Sequence, residues 1–158
     1  MSCADKILAR GELVAHRRSL RSSGQRVVFT NGCFDVLHRG HLETLRHARA
    51  LGDCLMVGLN SDVSVRALKG IGRPLNGQDD RAQLLAEFEC VSHLCLFDEP
   101  SVENLIAELL PDVLVKGGDY APEDVVGRQL VEACGGRIVV VPRWPGRSTT
   151  ELSSRLRS

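Results

Sequence analysis

The chain has 158 residues, room for one domain with its own core. Lys plus Arg and Asp plus Glu number 20 each, so no global field draws nucleic acid or an anionic membrane surface. No apolar run approaches the roughly 20 residues of a membrane span, and the N-terminus lacks the apolar core of a signal peptide.

Residues 5–23 look like an added helix, and the short basic stretch His16-Arg17-Arg18, Arg21 and Arg26 reads as that helix's solvated face rather than a binding arm. The β-branched run 26–30 predicts a first strand. It feeds Thr30-Asn31-Gly32-Cys33-Phe34-Asp35-Val36-Leu37-His38-Arg39-Gly40-His41, the most informative segment of the chain. A helix is predicted over 41–51, placing His38 and His41 at its start on one face. Two imidazoles beside free backbone N–H groups and the positive dipole end suit anionic oxygens, and Gly40 lets a bulky anion approach the backbone. Cys33, His38 and His41 also suit zinc by type, but no fourth ligand stands at a recognisable spacing.

Further strands are predicted at 54–59, 93–97, 113–116 and 137–142, with amphipathic helices near 77–90, 101–110 and 122–134 and a closing helix at 149–157. Alternation of this kind predicts βαβ units in an α/β fold: a doubly wound parallel five-stranded sheet, Rossmann-like, with an extra N-terminal helix. The strands are apolar throughout rather than alternating, as strands covered on both faces are. In such sheets ligands bind beyond the carboxyl ends of the strands. Thr30-Asn31-Gly32, Asn60-Ser61-Asp62, Lys116-Gly117-Gly118-Asp119-Tyr120 and Arg147-Ser148-Thr149-Thr150 all fall there, so they are expected to share one edge.

Lys69 and Arg73 lie in Leu-Lys-Gly-Ile-Gly-Arg-Pro, a glycine-bearing loop able to close a lysine over a triphosphate. Ser148-Thr149-Thr150-Glu151 has capping-box spacing, and a capped helix start also presents donors to phosphate. Asp35 is a candidate to orient a turn N–H, hold His38 or assist a magnesium ion. Asn76 reads as a helix cap. Trp144 is a candidate to stack on a base or to plug apolar surface. The six cysteines (3, 33, 54, 90, 95 and 134) form no C-x-x-C pair and mostly sit in apolar segments, which predicts reduced, buried thiols in a cytoplasmic protein.

Thr-x-Gly-x-Phe-Asp-x-x-His-x-Gly-His resembles the signature of the HIGH-motif nucleotidyltransferases, which transfer a nucleoside monophosphate to a phosphate ester. Phe-Asp-Val-Leu-His looks like the cytidylyltransferase and sugar-nucleotide branch. Leu51-Gly52-Asp53, Asn60-Ser61-Asp62, Leu68-Lys69-Gly70 with Arg73-Pro74, Pro111-Asp112 through Tyr120, and Ser148-Thr149-Thr150 together resemble the nucleotidyltransferase domain of ADP-heptose synthases, the heptose 1-phosphate adenylyltransferases, here as a stand-alone form.

The resemblance implies one nucleotidyltransferase domain over 1–158, with 1–24 as a helical extension. It implies catalytic roles for His38, His41 and Lys69. Nucleotide contacts are implied for Thr30, Asn31, Gly32, Phe34, Gly40, Asn60, Asp62, Arg73, Ser148, Thr149 and Thr150. Substrate contacts are implied for Asp35, Lys116, Gly117, Gly118, Asp119 and Tyr120. The implied substrates are ATP and D-glycero-D-manno-heptose 1-phosphate, with Mg2+ carried by the phosphates rather than by a protein cage. A separate heptose kinase in the pathway and a homodimer are also implied. A CTP-dependent enzyme acting on glycerol 3-phosphate and a non-catalytic zinc- or nucleotide-binding module are the alternatives.

Overall fold

The computed structural model describes residues 2–143 and 154–156. Its elements, in chain order, are α1 (Arg10–Ser22), β1 (Val27–Gly32), α2 (Arg39–Arg49), β2 (Cys54–Asn60), α3 (Asp62–Lys69), α4 (Gln78–Ala86), β3 (His93–Phe97), α5 (Glu103–Leu109), β4 (Val113–Gly117), α6 (Arg128–Ala133) and β5 (Arg137–Val141). All strand pairs are parallel, in the order β3-β2-β1-β4-β5. The chain first builds outward from β1 through β2 to β3, then returns to the other side of β1. The order therefore reverses between β1 and β4, which makes that junction the switch point where a ligand crevice opens.

Both faces of the sheet are covered, as the unbroken apolar strands required. Phe29, Met56, Cys95 and Leu114 pack beneath α1, α5 and α6 with Leu13, Leu105 and Val131. Val28, Leu55, Val57, Leu94 and Val115 pack on the other face with Leu45 and Ala48 of α2 and Ala82 and Leu85 of α4. The five strands match the expected spans to within a residue or two at each end.

Three segments depart from expectation. The stretch after β2 is helical, so Lys69 is the last residue of α3 and only Gly70 begins the loop. The span 122–134 holds a 3-10 turn at Pro122–Asp124 and then the short α6. The basic face of α1 is not wholly solvated. Arg17 is 2% exposed, pairs with Asp112 at 3.0 Å and donates to the carbonyls of Leu109 and Leu110. These are orphan acceptors at the end of α5, so a buried arginine there satisfies groups that the helix cannot. Just ahead of α1, Leu8 N–H donates to Leu94 O, and the chain runs beside the edge strand β3.

Two of the segments shared with the heptose branch act at the opposite end of the sheet from the ligand crevice. Asp53 Oδ2 accepts from Arg26 N at 2.7 Å and Asp112 Oδ2 from Val27 N at 2.8 Å, so both carboxylates secure the entry to β1. Gly52 permits that approach, because a Cβ there would stand 2.9 Å from Arg26 O and 2.8 Å from Val28. All six cysteines are free thiols, but only Cys54 and Cys95 are buried, and Cys134 is exposed.

Candidate active site

A cavity of about 680 Å³ opens beyond the carboxyl ends of the strands at the β1/β4 switch point. Of the predicted residues it is lined by Thr30, Asn31, Gly32, Phe34, Asp35, His38, Gly40, His41, Asn60, Lys69, Lys116, Gly117, Gly118 and Tyr120. The lining also includes Cys33 and Leu68 from the quoted segments, and Thr44, Phe97, Pro100, Ser101, Asp124, Val125, Val126 and Arg143, which motif reading passed over. The carboxyl-end rule points to the ends of β3 and β5 as well, and applied strictly it finds Phe97 and Arg143.

His38 is the N-cap of α2. Its Nδ1 accepts from Gly40 N at 3.0 Å, and His41 Nδ1 accepts from His38 N at 3.3 Å, a reciprocal arrangement built from two imidazoles. An Nδ1 that accepts carries no proton, so in each ring Nε2 is the N–H donor. The rings stack with centroids 3.9 Å apart, and Phe34 meets His41 edge-on at 5.2 Å. Burial, His38 and the positive charge of Lys69 push the His41 pKa down from 6.5 to about 4. At neutral pH the helix start therefore presents a fixed, uncharged donor beside a lysine.

That shift makes stability depend on pH. Between about 4 and 6.5 the unfolded chain binds a proton at His41 that the folded chain refuses, so stability falls as pH drops through this window. By pH 5 the loss from His41 alone should reach about 2 kcal/mol. Burial also lowers His93, with the same sign. The measurement is therefore urea unfolding of wild type and His41→Asn at pH 7.5 and pH 5, with a smaller acid loss in the variant. Equal losses in both would show that His41 titrates normally.

Lys116 lies across the cavity at the end of β4, its ammonium pushed down by burial, and its Nζ stands 5.4 Å from the centre of the Tyr120 ring. The floor between β4 and α2 is tight. A Cβ on Gly117 would meet Thr44 Cγ2 at 3.0 Å and Oγ1 at 3.1 Å, and Gly118 has φ +122. Glycines are needed at both for the backbone itself to form the cavity wall. Thr30 and Asn60 are each 3% exposed. The Thr30 hydroxyl donates to Val115 O across the switch point, and Asn60 Nδ2 donates to Ser64 Oγ.

Five residues do not take the places expected of them. Asp35 reaches the lining, but its buried carboxylate accepts from Leu75 N at 2.8 Å and Asn76 N at 2.9 Å and pairs with Arg73 at 3.4 Å. It ties the loop after α3 to the histidine segment, and little acceptor capacity is left for a metal ion. Arg73, bound to Asp35, is outside the lining. Asp62 is outside it too, its carboxylate paired with Arg81 at 2.8 Å. Asp119 is exposed and does not line the cavity. Asn76 is not the cap of α4, a position Gly77 occupies, and instead donates from Nδ2 to Asp35 O.

Cys33, His38 and His41 do not form a metal-ligating group, and among the described residues no three His, Cys, Asp or Glu side chains do. Burial pushes the Cys33 thiol up, away from a nucleophilic thiolate. Trp144 and Arg147, like the predicted phosphate contacts Ser148, Thr149 and Thr150, lie outside the described residues. No helix among the described residues is long and apolar enough to cross a membrane.

Motif reading missed one buried residue that braces these segments. Arg81, on α4, is 1% exposed and donates to Asn76 O at 2.9 Å, to Cys33 O and Asn60 O at 2.7 Å each, and to Asp62 Oδ1 at 2.8 Å. One guanidinium thus joins the segments that follow β1, β2 and α3 beneath the cavity.

Known proteins share this architecture. The chain is 53% identical over 136 residues to the bifunctional protein HldE of Trichlorobacter lovleyi and 49% identical over 156 residues to that of Rhodopseudomonas palustris. Those matches cover 86% and 98% of this chain but 28% and 32% of the relatives, so it spans about a third of their length or less. A lipopolysaccharide core biosynthesis protein from Thermoplasma volcanium superposes with a TM-score of 0.63 at 26% identity, covering 77% of this chain and 98% of the other. Pantoate-beta-alanine ligase from Francisella tularensis shares the fold, with a TM-score of 0.63 at 18% identity over 96% of this chain and 76% of that one. The family profile described as cytidylyltransferase-like matches residues 29–155, from the first strand through the histidine helix and every strand after it, and the chain belongs to that family.

Proposed function

We propose that this chain is a nucleotidyltransferase that moves AMP from ATP to D-glycero-D-manno-heptose 1-phosphate, releasing pyrophosphate. The observation that carries the reaction class is the histidine pair: two imidazoles, each with Nδ1 held by a backbone N–H, standing as Nε2–H donors at a helix start in the switch-point cavity. The substrates are supported by the likeness to the HldE proteins and to a lipopolysaccharide core biosynthesis protein.

The chemistry asks for little beyond positioning and charge. A phosphate monoester has a second pKa near ~6 and is largely dianionic at neutral pH, so it attacks the α-phosphorus without a general base. The P–O bond to the β-phosphate breaks as the new one forms, and pyrophosphate leaves with the electron pair. His38 and His41 donate to oxygens of the α-phosphate, where charge shifts during transfer. Lys69, at the end of α3, stands near enough to oppose protonation of His41 and meets the departing phosphates as a mobile point charge. Magnesium, which neutralises charge on a triphosphate, would be held by the phosphate oxygens. Asp35 is already committed to its own loop and does not offer the ion an open carboxylate.

The test is a matrix of ATP, CTP, GTP and UTP against heptose 1-phosphate, glycerol 3-phosphate and phosphopantetheine, read by pyrophosphate release. Turnover is expected with ATP and heptose 1-phosphate. A preference for CTP with glycerol 3-phosphate would overturn the substrate assignment. No pyrophosphate from any pair would overturn the reaction class.

A further inference from the structure

A lysine that meets departing phosphates has to be delivered to them by its backbone, and the core holds little of the backbone around Lys69. The last residue of α3 packed in the core is Val65, at 0% exposed, and every residue from Arg66 to Gly72 is exposed. Lys69 ends the helix. Beyond it Gly70 and Gly72 have φ of +90 and +91, with no atom within 4 Å of where a Cβ would stand, and Ile71 between them is 99% exposed. A segment with so few packed contacts belongs to the low-stability end of a fold. Yet Lys69 lines the cavity, and its charge acts on both His41 and Cys33.

The chain is fixed again at Arg73–Asn76, and the group that fixes it is one carboxylate of the histidine segment. The Asp35 side chain is fully buried. Its Oδ1 accepts from Leu75 N at 2.8 Å and from Asn76 N at 2.9 Å, and its Oδ2 accepts from Leu75 N at 2.9 Å and pairs with Arg73 Nε at 3.4 Å. In return Asn76 Nδ2 donates to Asp35 O at 2.6 Å. Only a turn separates Lys69 from this clamp, with Arg73 N–H donating to Gly70 O at 3.4 Å. Bonds from backbone N–H groups to a buried carboxylate are charge-assisted, and they set the path of the chain rather than of one side chain. Asp35 stands three positions before His38, so the clamp ties the lysine segment to the stretch that carries the imidazoles.

Resting on the proposed nucleotidyl transfer, we propose that Asp35 is a positioning residue that acts through Lys69. It holds the far end of the lysine segment against the histidine segment, so that ammonium and imidazoles address one triphosphate together. The sequence gave Asp35 a contact with substrate. Its carboxylate is spent on the loop instead, and it serves transfer by fixing where another group stands.

Asp35→Asn sets an amide donor against backbone N–H groups and a guanidinium that also donate, so the clamp opens. Amide exchange at Leu75 and Asn76 should be slow in wild type and fast in the variant, and unchanged exchange overturns the proposal. In the variant kcat for pyrophosphate release should fall about 10- to 10²-fold, toward the scale of a small misplacement. A double-mutant cycle with Lys69→Met separates action through the lysine from a general loss of structure. Once Lys69 is gone, Asp35→Asn should change kcat by less than about 2-fold. Losses that multiply overturn the proposal and leave Asp35 a structural residue. The unfolding midpoint falls with Asp35→Asn whether or not Lys69 is present. Should that variant fail to fold, Arg73→Met removes one arm of the clamp from a residue outside the cavity lining. It goes through the same cycle with the same two outcomes. Calorimetric binding of inorganic tripolyphosphate runs the cycle without turnover: affinity should fall in each single variant and no further in the double. If wild type releases no pyrophosphate from any pair, the reaction class fails while the tripolyphosphate cycle still decides the role of Asp35.

Discussion

Replacing His41 with alanine should lower kcat for pyrophosphate release by about 10²- to 10³-fold, the range measured when one preorganised transition-state donor is removed. Three features of the site support so large an effect. The donor is neutral and stays neutral, because its pKa is held near 4, so no proton has to be lost or gained before it acts. Its ring cannot swing freely, because Nδ1 is tied to the N–H of His38 and its faces meet His38 and Phe34. It is also partly shielded from water, where a hydrogen bond to a charged oxygen is electrostatically stronger. KM for ATP should change far less than kcat, since the contact strengthens as charge moves in transfer. Single-turnover rates for wild type and His41→Ala give the comparison directly. A fall of much less than ~10²-fold would mean that His41 holds the helix start together and does not stabilise transfer.

What the sequence made legible follows from the kind of signal each feature emits. The strands are continuous runs of Val, Leu and Ile, and the histidine segment is a strand, a glycine turn and a helix start read in twelve residues, so both survive without any tertiary information. α3 was obscured because it is eight residues long and opens with Ser61-Asp62, a polar pair that reads as loop until one sees Ser61 accepting from Ser64 N as the N-cap. Asp35 and Asp62 are acidic residues beside a phosphate site, and local sequence cannot say that their partners stand 40 and 19 positions away. Arg81 did leave a trace. Positions 81, 82, 85 and 86 form the buried face of α4, so the arginine falls on the apolar side of its helix, where a charge needs an internal reason.

That internal reason carries the second large effect. Arg81→Met should cost about 3 to 5 kcal/mol of folding stability, the range for breaking a buried charged partner set. For a domain of this size the melting temperature should fall by roughly 10 °C. The methionine fills most of the volume, so the loss reports the orphaned acceptors rather than a cavity. Three carbonyls, of Cys33, Asn60 and Asn76, would be left without the guanidinium. Asp62 is partly solvated and would lose less. Arg81→Lys should restore under half of the loss, because one ammonium cannot serve four acceptors that the planar fork reaches together. Two of the orphaned carbonyls belong to residues of the cavity wall, so kcat/KM measured well below the melting point should fall as well. Denaturant unfolding and steady-state rates on the same two variants separate these effects. A melting temperature within a few degrees of wild type for Arg81→Met would show that water replaces the guanidinium at little cost. The cavity floor would then owe its shape to the glycine and strand contacts alone.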